Sequence, residues 1–239
     1  MPASEKILWV VHYESLDAFV KKAAEAGITG VAIRTDNDVP AAIAKFHAKG
    51  IKVYGWRWPS ARRDSCMAEA KNVVALLQQG LDGYFVDPEG EPGKPYDWNR
   101  DGLDDLARDF CKAITSAAPG KPFGTTSHYR AKALFRKLPW AAFLGFSTVL
   151  LPQAYWKVTG GNVGHGDPKE NYEVALDRWE AAGGDRAKIV PMAGELAKVS
   201  ASDIAAYAAT AVANNVKTLH FYDYNDNVKQ AVWDAIARA

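Results

Sequence analysis

Two carboxylates two residues apart, Asp87 and Glu89 in the run Gly83-Tyr84-Phe85-Val86-Asp87-Pro88-Glu89, are the residues of this chain whose type and spacing best suit chemistry. On an extended strand, side chains at i and i+2 share a face, so both would enter one mouth. Ionising one holds the proton of the other more tightly, and partial burial among aromatic rings raises it further. A carboxylic acid kept protonated near neutrality is what a general acid requires, and glycosidic bond cleavage is the reaction class that most often uses such groups. The bland reading of the same triplet is an Asp that caps the following loop and a Glu that is merely solvated.

Glu195, in Pro191-Met192-Ala193-Gly194-Glu195, offers a second carboxylate. At about 5–5.5 Å from Glu89 it would be the nucleophile of a retaining glycosidase. Facing the helices instead, it would be the N-terminal charge of the alanine-rich helix that follows.

Around these acids stand residues suited to a sugar. Trp56, Trp58, Tyr129, Tyr155, Trp156, Tyr222 and Tyr224 present ring faces, although core packing accounts for each taken singly. Trp56 and Trp58 share a face and straddle Arg57, so one set must turn toward the mouth and the other toward the helices. Arg57 joins the expected binding set, and Arg34 with Asp36 and Arg57 suits an ion pair beneath the site. Gln153 either binds a substrate hydroxyl or caps a ladder, and Asp223 completes the polar set.

Metal and cofactor chemistry find little support. His12, His128 and His220 lack the strand-end His-x-His and carboxylate pattern of a barrel metal site, so neither metal nor cofactor is expected. The glycine-rich stretch 159–166 lacks Gly-Lys-Ser/Thr and reads as a substrate lid, not a phosphate cradle. Lys157 raises a Schiff-base aldolase alternative, but beside that loop it reads as exposed.

What must position these residues is an alternation of strand and helix. Short β-branched or aromatic runs at 7–12, 30–34, 52–56, 83–87, 122–126, 148–153, 189–193 and 218–222 are each followed by a segment of helical period. The helices are expected at 16–26, 40–49, 66–79, 101–118, 131–138, 171–182, 201–214 and 228–238. Gly27, Gly50, Gly80 and Gly183-Gly184 stand where helices must end. Eight such units in 239 residues predict an α/β fold, a single (β/α)8 TIM barrel over 1–239 with its site at the C-terminal strand ends. No linker or charge block divides the chain.

Asp87-Pro88-Glu89 after an apolar fourth strand, with Pro152-Gln153-Ala154-Tyr155-Trp156 after the sixth, resembles the family 25 glycoside hydrolases, lysozyme-type muramidases, and related barrel glycosidases. The resemblance implies Glu89 as general acid, Asp87 in support, and a groove lined by aromatics. It departs at the first strand, where that family carries an Asp and His12-Tyr13 stands here. The expected activity is hydrolysis of a polysaccharide or of the glycan chain of peptidoglycan. The alternative is a barrel of a phage particle or cell-wall assembly that binds glycan without cutting it.

Composition narrows the partners. Lys and Arg number 29 against 28 Asp and Glu, a net charge of +1, so the footprint of a nucleic-acid or anionic-membrane binder is missing. Neither a membrane span nor a secretory signal is read, leaving export without a signal or phage association as the expected routes. A carbohydrate polymer is the expected partner of a monomer. Cys66 and Cys111 fit no disulfide framework or zinc site and read as buried thiols, with a disulfide between adjacent helices as the alternative.

Overall fold

The structure, a computed structural model, describes residues 3–157 and 166–239. Its elements run β1 (Glu5–Val10), α1 (Leu16–Glu25), β2 (Gly30–Arg34), α2 (Val39–His47), β3 (Lys52–Arg57), α3 (Arg63–Gln78), β4 (Gly83–Val86), α4 (Asp104–Ala117) and β5 (Phe123–His128). There follow α5 (Trp140–Phe146), β6 (Val149–Gln153), α6 (Pro168–Ala181), α7 (Ala201–Ala213), β7 (Thr218–Phe221) and α8 (Gln230–Arg238). The predicted lid segment lies, over 159–165, outside the described residues.

Local chemistry sets the helix ends. Ser15 and Asp38 cap α1 and α2 by accepting from the backbone N–H groups of Ala18 and Ala41, and Ser200 with Asp203 forms a capping box on α7. Gly27, with φ +64°, turns the chain out of α1 in the left-handed region where a side chain would be strained.

Seven parallel strands form one curled sheet in the order β6-β5-β4-β3-β2-β1-β7, with helices outside. Alternation along the strands divides the core in two. Ile7, Trp9, Ala32, Tyr54, Trp56, Phe85, Leu151 and Met192 pack together inside the curl. Their neighbours Leu8, Val10, Val31, Ile33, Val53, Tyr84 and Val86 face the helices. Among the described residues no helix is long and apolar enough to cross a membrane.

The expected eighth strand, 189–193, is not a regular strand. This segment touches both edges of the sheet through isolated parallel bridges, Leu150 to Ile189, Gln153 to Met192 and Ala193 to Phe221. Pro191 stands in its middle without an N–H, so a continuous ladder cannot form. The helix expected at 131–138 is also absent: a single 3-10 turn, Ala131–Ala133, stands there, and α5 begins after Pro139. There the Lys137 N–H donates to Asn99 Oδ1 at 2.8 Å instead of to a helical carbonyl, and Pro139 disfavours helix in the residue before it. Cys66 in α3 and Cys111 in α4 are free, buried thiols, and burial pushes Cys66 up to about 12.

Candidate active site

A pocket of about 110 Å³ opens at the C-terminal strand ends, lined by Trp9, Trp56, Trp58, Asp87, Glu89, Thr126, Gln153, Tyr155 and Tyr222. A larger cavity, about 590 Å³, lies elsewhere among Ala3, Ala208, Val212, Leu219 and Arg238 and holds no carboxylate side chain, so volume alone does not mark the chemistry.

Asp87 directly follows β4 and is 4% exposed. Its N–H donates to the Arg57 carbonyl at 2.9 Å, which carries the β3–β4 pairing one residue past the strand. The loop holding Glu89 is pinned on both sides. Ser127 Oγ donates to the Pro88 carbonyl at 2.8 Å, and the Trp98 N–H donates to the Glu89 carbonyl at 2.7 Å. The Trp98 indole in turn donates to the Pro59 carbonyl at 2.8 Å. The two carboxyl groups therefore sit on anchored backbone.

One amide addresses both acids. Gln153 Nε2 stands 3.0 Å from Asp87 Oδ1 and 3.2 Å from Glu89 Oε1. Asp87 also bonds the Trp58 side chain and the Glu89 carboxyl. Burial pushes Glu89 up to about 7, against the opposing pull of its hydrogen bonds from Asp87 and Gln153. Burial, reinforced by the Glu89 charge and the shared hydrogen bond, raises Asp87 well above the usual carboxylate range as well. A carboxylate this deeply buried cannot remain charged beside a second one, and the pair keeps a proton toward neutrality.

Aromatic rings enclose the pair. Trp56 meets Trp58 edge-on with centroids 5.0 Å apart, and its indole donates to the Val10 carbonyl at 3.0 Å. Trp9 stacks on Phe85 at 5.2 Å, and Tyr155 stacks on Tyr222 at 5.2 Å.

Of the predicted site residues, the pocket thus gathers Asp87, Glu89, Trp56, Gln153, Tyr155 and Tyr222. Arg57 points away, bound to Asp36 at 3.0 Å, with Arg34 on the same carboxylate at 2.6 Å. Tyr129 and Trp156 are corrected as binding residues: at 1% and 3% exposed, they are packed away from the pocket. Tyr129 stacks on His128 at 4.7 Å, and Trp156 packs against Tyr207 at 5.8 Å. Successive side chains on an extended backbone point to opposite sides, so turning Tyr155 inward sends Trp156 outward.

Asp223 stands beside the pocket wall, bonded by Asn225 Nδ2 at 3.2 Å, and burial with the Glu195 charge nearby pushes it up to about 6. Glu195 lies on the Asp223 side and is not part of the pocket wall. Its N–H donates to the Lys157 carbonyl.

Trp9 and Thr126 line the pocket without having been singled out from sequence. Trp9 sits mid-strand in an apolar run; its only signal was phase, since Ile7, Trp9 and Val11 share a face. Among the described residues no group of three or more His, Cys, Asp or Glu could hold a metal ion.

No protein-family model and no curated protein sequence matches the chain. Its fold is similar to that of the Bacillus cereus spore cortex-lytic enzyme SleL, at 10% identity over 99% of this chain and 74% of that one, with a TM-score of 0.72. The glycoside hydrolase domain of PgaB (BpsB) from Bordetella bronchiseptica is similar at 10% identity, 98% and 97% coverage, and 0.64. So is QR15, an aldolase, at 13% identity, 98% and 91% coverage, and 0.60. At such identities the likeness is one of fold, a TIM-like α/β architecture found in glycoside hydrolases and aldolases alike. The chemistry must be read from the pocket.

Proposed function

We propose that the chain is a glycoside hydrolase acting on a polymeric glycan, with Glu89 as general acid and Asp87 as its hydrogen-bonded partner in support. The observation that carries this reading is the Asp87–Glu89 pair under one Gln153 amide, in a pocket walled by tryptophan and tyrosine. Aromatic faces accept the C–H faces of sugar rings. A carboxyl pushed up to about 7 keeps its proton in about half of the molecules at neutral pH.

In the proposed reaction the Glu89 proton passes to the glycosidic oxygen as the C1–O bond breaks. Positive charge grows on the sugar ring while the carboxyl pair gains one negative charge beside it, and the low-dielectric pocket strengthens that attraction. Water supplies hydroxyl to C1 and returns a proton to Glu89. A secondary form gives Glu195 the nucleophile role, in which case Glu195→Gln would block turnover as completely as Glu89→Gln. Within this reading, 189–193 completes the ring as an eighth stave. The glycan chain of peptidoglycan is the first substrate proposed, on the resemblance to muramidases.

The aldolase alternative finds no lysine in the pocket wall. Lys157 is bound to Asp203 at 2.7 Å, half-exposed, and so lacks the desolvation that makes a Schiff-base lysine nucleophilic. The deciding experiment is release of reducing ends from a panel of polysaccharides and peptidoglycan, beside Glu89→Gln. Release lost in the variant supports the reading. Binding retained with no release by either protein favours a glycan-binding barrel.

A further inference from the structure

Trp9 is 1% exposed, stacks on Phe85, lies 5.6 Å from Trp56, and lines the pocket beside the two acids. An indole N–H in so dry a place needs an acceptor. Its partner is His220 Nδ1, 3.0 Å away on β7.

His220 is itself held on every side. Its N–H donates to Tyr207 Oη at 3.1 Å, its carbonyl accepts from the Ala193 N–H at 2.9 Å, and its ring meets the Phe85 ring edge-on at 5.8 Å. It also borders a second cavity, of about 250 Å³, shared with Tyr54, Phe85 and Thr218 at the opposite end of the strands. His220 thus stands behind the pocket, between two cavities.

We propose that His220 is a positioning residue of the pocket, fixing the Trp9 indole by accepting its N–H so that the ring is held as the surface on which a sugar packs. An indole nitrogen only donates, so Nδ1 must present its lone pair and the ring proton sits on Nε2. Burial pushes His220 down to about 3, which keeps the ring neutral at working pH. Neither carboxyl depends on His220, so its loss acts through Trp9 on sugar binding and not on proton donation.

The kinetic part of this proposal rests on the glycosidase reading; the tautomer does not. Nitrogen NMR of the wild-type chain at pH 7 should show His220 with Nδ1 bare and Nε2 protonated, and a proton on Nδ1 overturns the proposal. On a soluble peptidoglycan fragment, His220→Leu should raise KM about tenfold with kcat changed less than about threefold, because an unpaired buried donor is costly and the lost contact is common to ground and transition states. His220→Asn keeps a short acceptor and should restore KM to within about threefold. An unchanged KM in His220→Leu, or no recovery in folded His220→Asn, overturns the assignment. If His220→Leu does not fold, the wild-type tautomer decides. If no glycan is cleaved by wild type, the glycosidase reading fails alone, and the NMR result still upholds or overturns the Trp9–His220 pairing.

Discussion

The Tyr155 and Tyr222 rings lie stacked with centroids 5.2 Å apart and planes 12° from parallel, joining the end of β6 to the residue after β7 across the segment that carries Pro191. The stack closes one wall of the pocket where the regular ladder is interrupted. It fits because residue 194 is glycine: a Cβ there would stand 2.8 Å from the Tyr155 ring and 2.8 Å from the Tyr222 carbonyl oxygen.

Gly194→Ala should therefore displace the stack. The expected cost is about 1–3 kcal/mol, typical of overpacking, together with at least about a tenfold loss in kcat/KM as the wall shifts. Thermal unfolding and steady-state kinetics measure the two effects. A variant with wild-type values in both would show that the wall tolerates the extra carbon.

Seven of the eight expected strands were legible because alternation and the glycines after the helices are local signals. Gly30–Arg34 and the start of β3 at Lys52 coincide with the predicted bounds. The acid pair was legible for the same reason, since Asp87 and Glu89 lie two residues apart at one strand end. Which aromatics enter the pocket was less so. Trp156 and Tyr129 looked equivalent to Tyr155, yet facing is decided by the phase of the strand they follow. Trp9 was hidden in a run whose composition suits any buried strand. The depth of Asp87 was beyond sequence, because it depends on Trp58 and Gln153 arriving from β3 and β6.

Glu89→Gln keeps the shape and the Gln153 contact but removes the transferable proton. Turnover should fall at least about a hundredfold, the low end of a general acid's contribution, with the glycan still bound. Turnover within about threefold of wild type would end the acid assignment.

Two substitutions should separate the influences on the pH profile. The alkaline limb of kcat/KM should lie near 7, where Glu89 loses its proton. The Gln153 amide donates to both carboxyls and so favours their ionised forms; Gln153→Met should move the limb to higher pH. Asp87 lowers Glu89 through its hydrogen bond, and Asp87→Asn keeps a donor in that place, so it should leave the limb near the wild-type position. A limb that does not move in Gln153→Met would mean that another group sets the pH dependence.

The same pair should make folding stability fall with pH. Glu89 is raised from an ordinary 4.5 to about 7, and Asp87 is raised too, so the folded chain holds protons that the unfolded chain releases. By linkage, the stabilisation this provides is complete below the unfolded values and is lost as pH rises through about 7. Asp36 and Asp203 act with the opposite sign. Partial burial pulls both upward, but bonds from Arg34 and Arg57 to Asp36, and from Lys157 and Ser200 to Asp203, hold them low, so their contribution disappears only in acid. His128 and His220 also act with the opposite sign: burial holds them down to about 4 and about 3, so stability gains from them as pH rises toward an ordinary 6.5. These contributions cancel when two proteins are compared over pH 5.5–8.5. Across that window the wild-type midpoint should fall by at least about 3 °C relative to Glu89→Gln, which cannot ionise. A residual slope is expected from Asp223, pushed up to about 6 and unaffected by the substitution. Parallel curves for the wild type and Glu89→Gln would show that Glu89 gives up its proton without cost to the fold, and the buried-acid argument would fail with them.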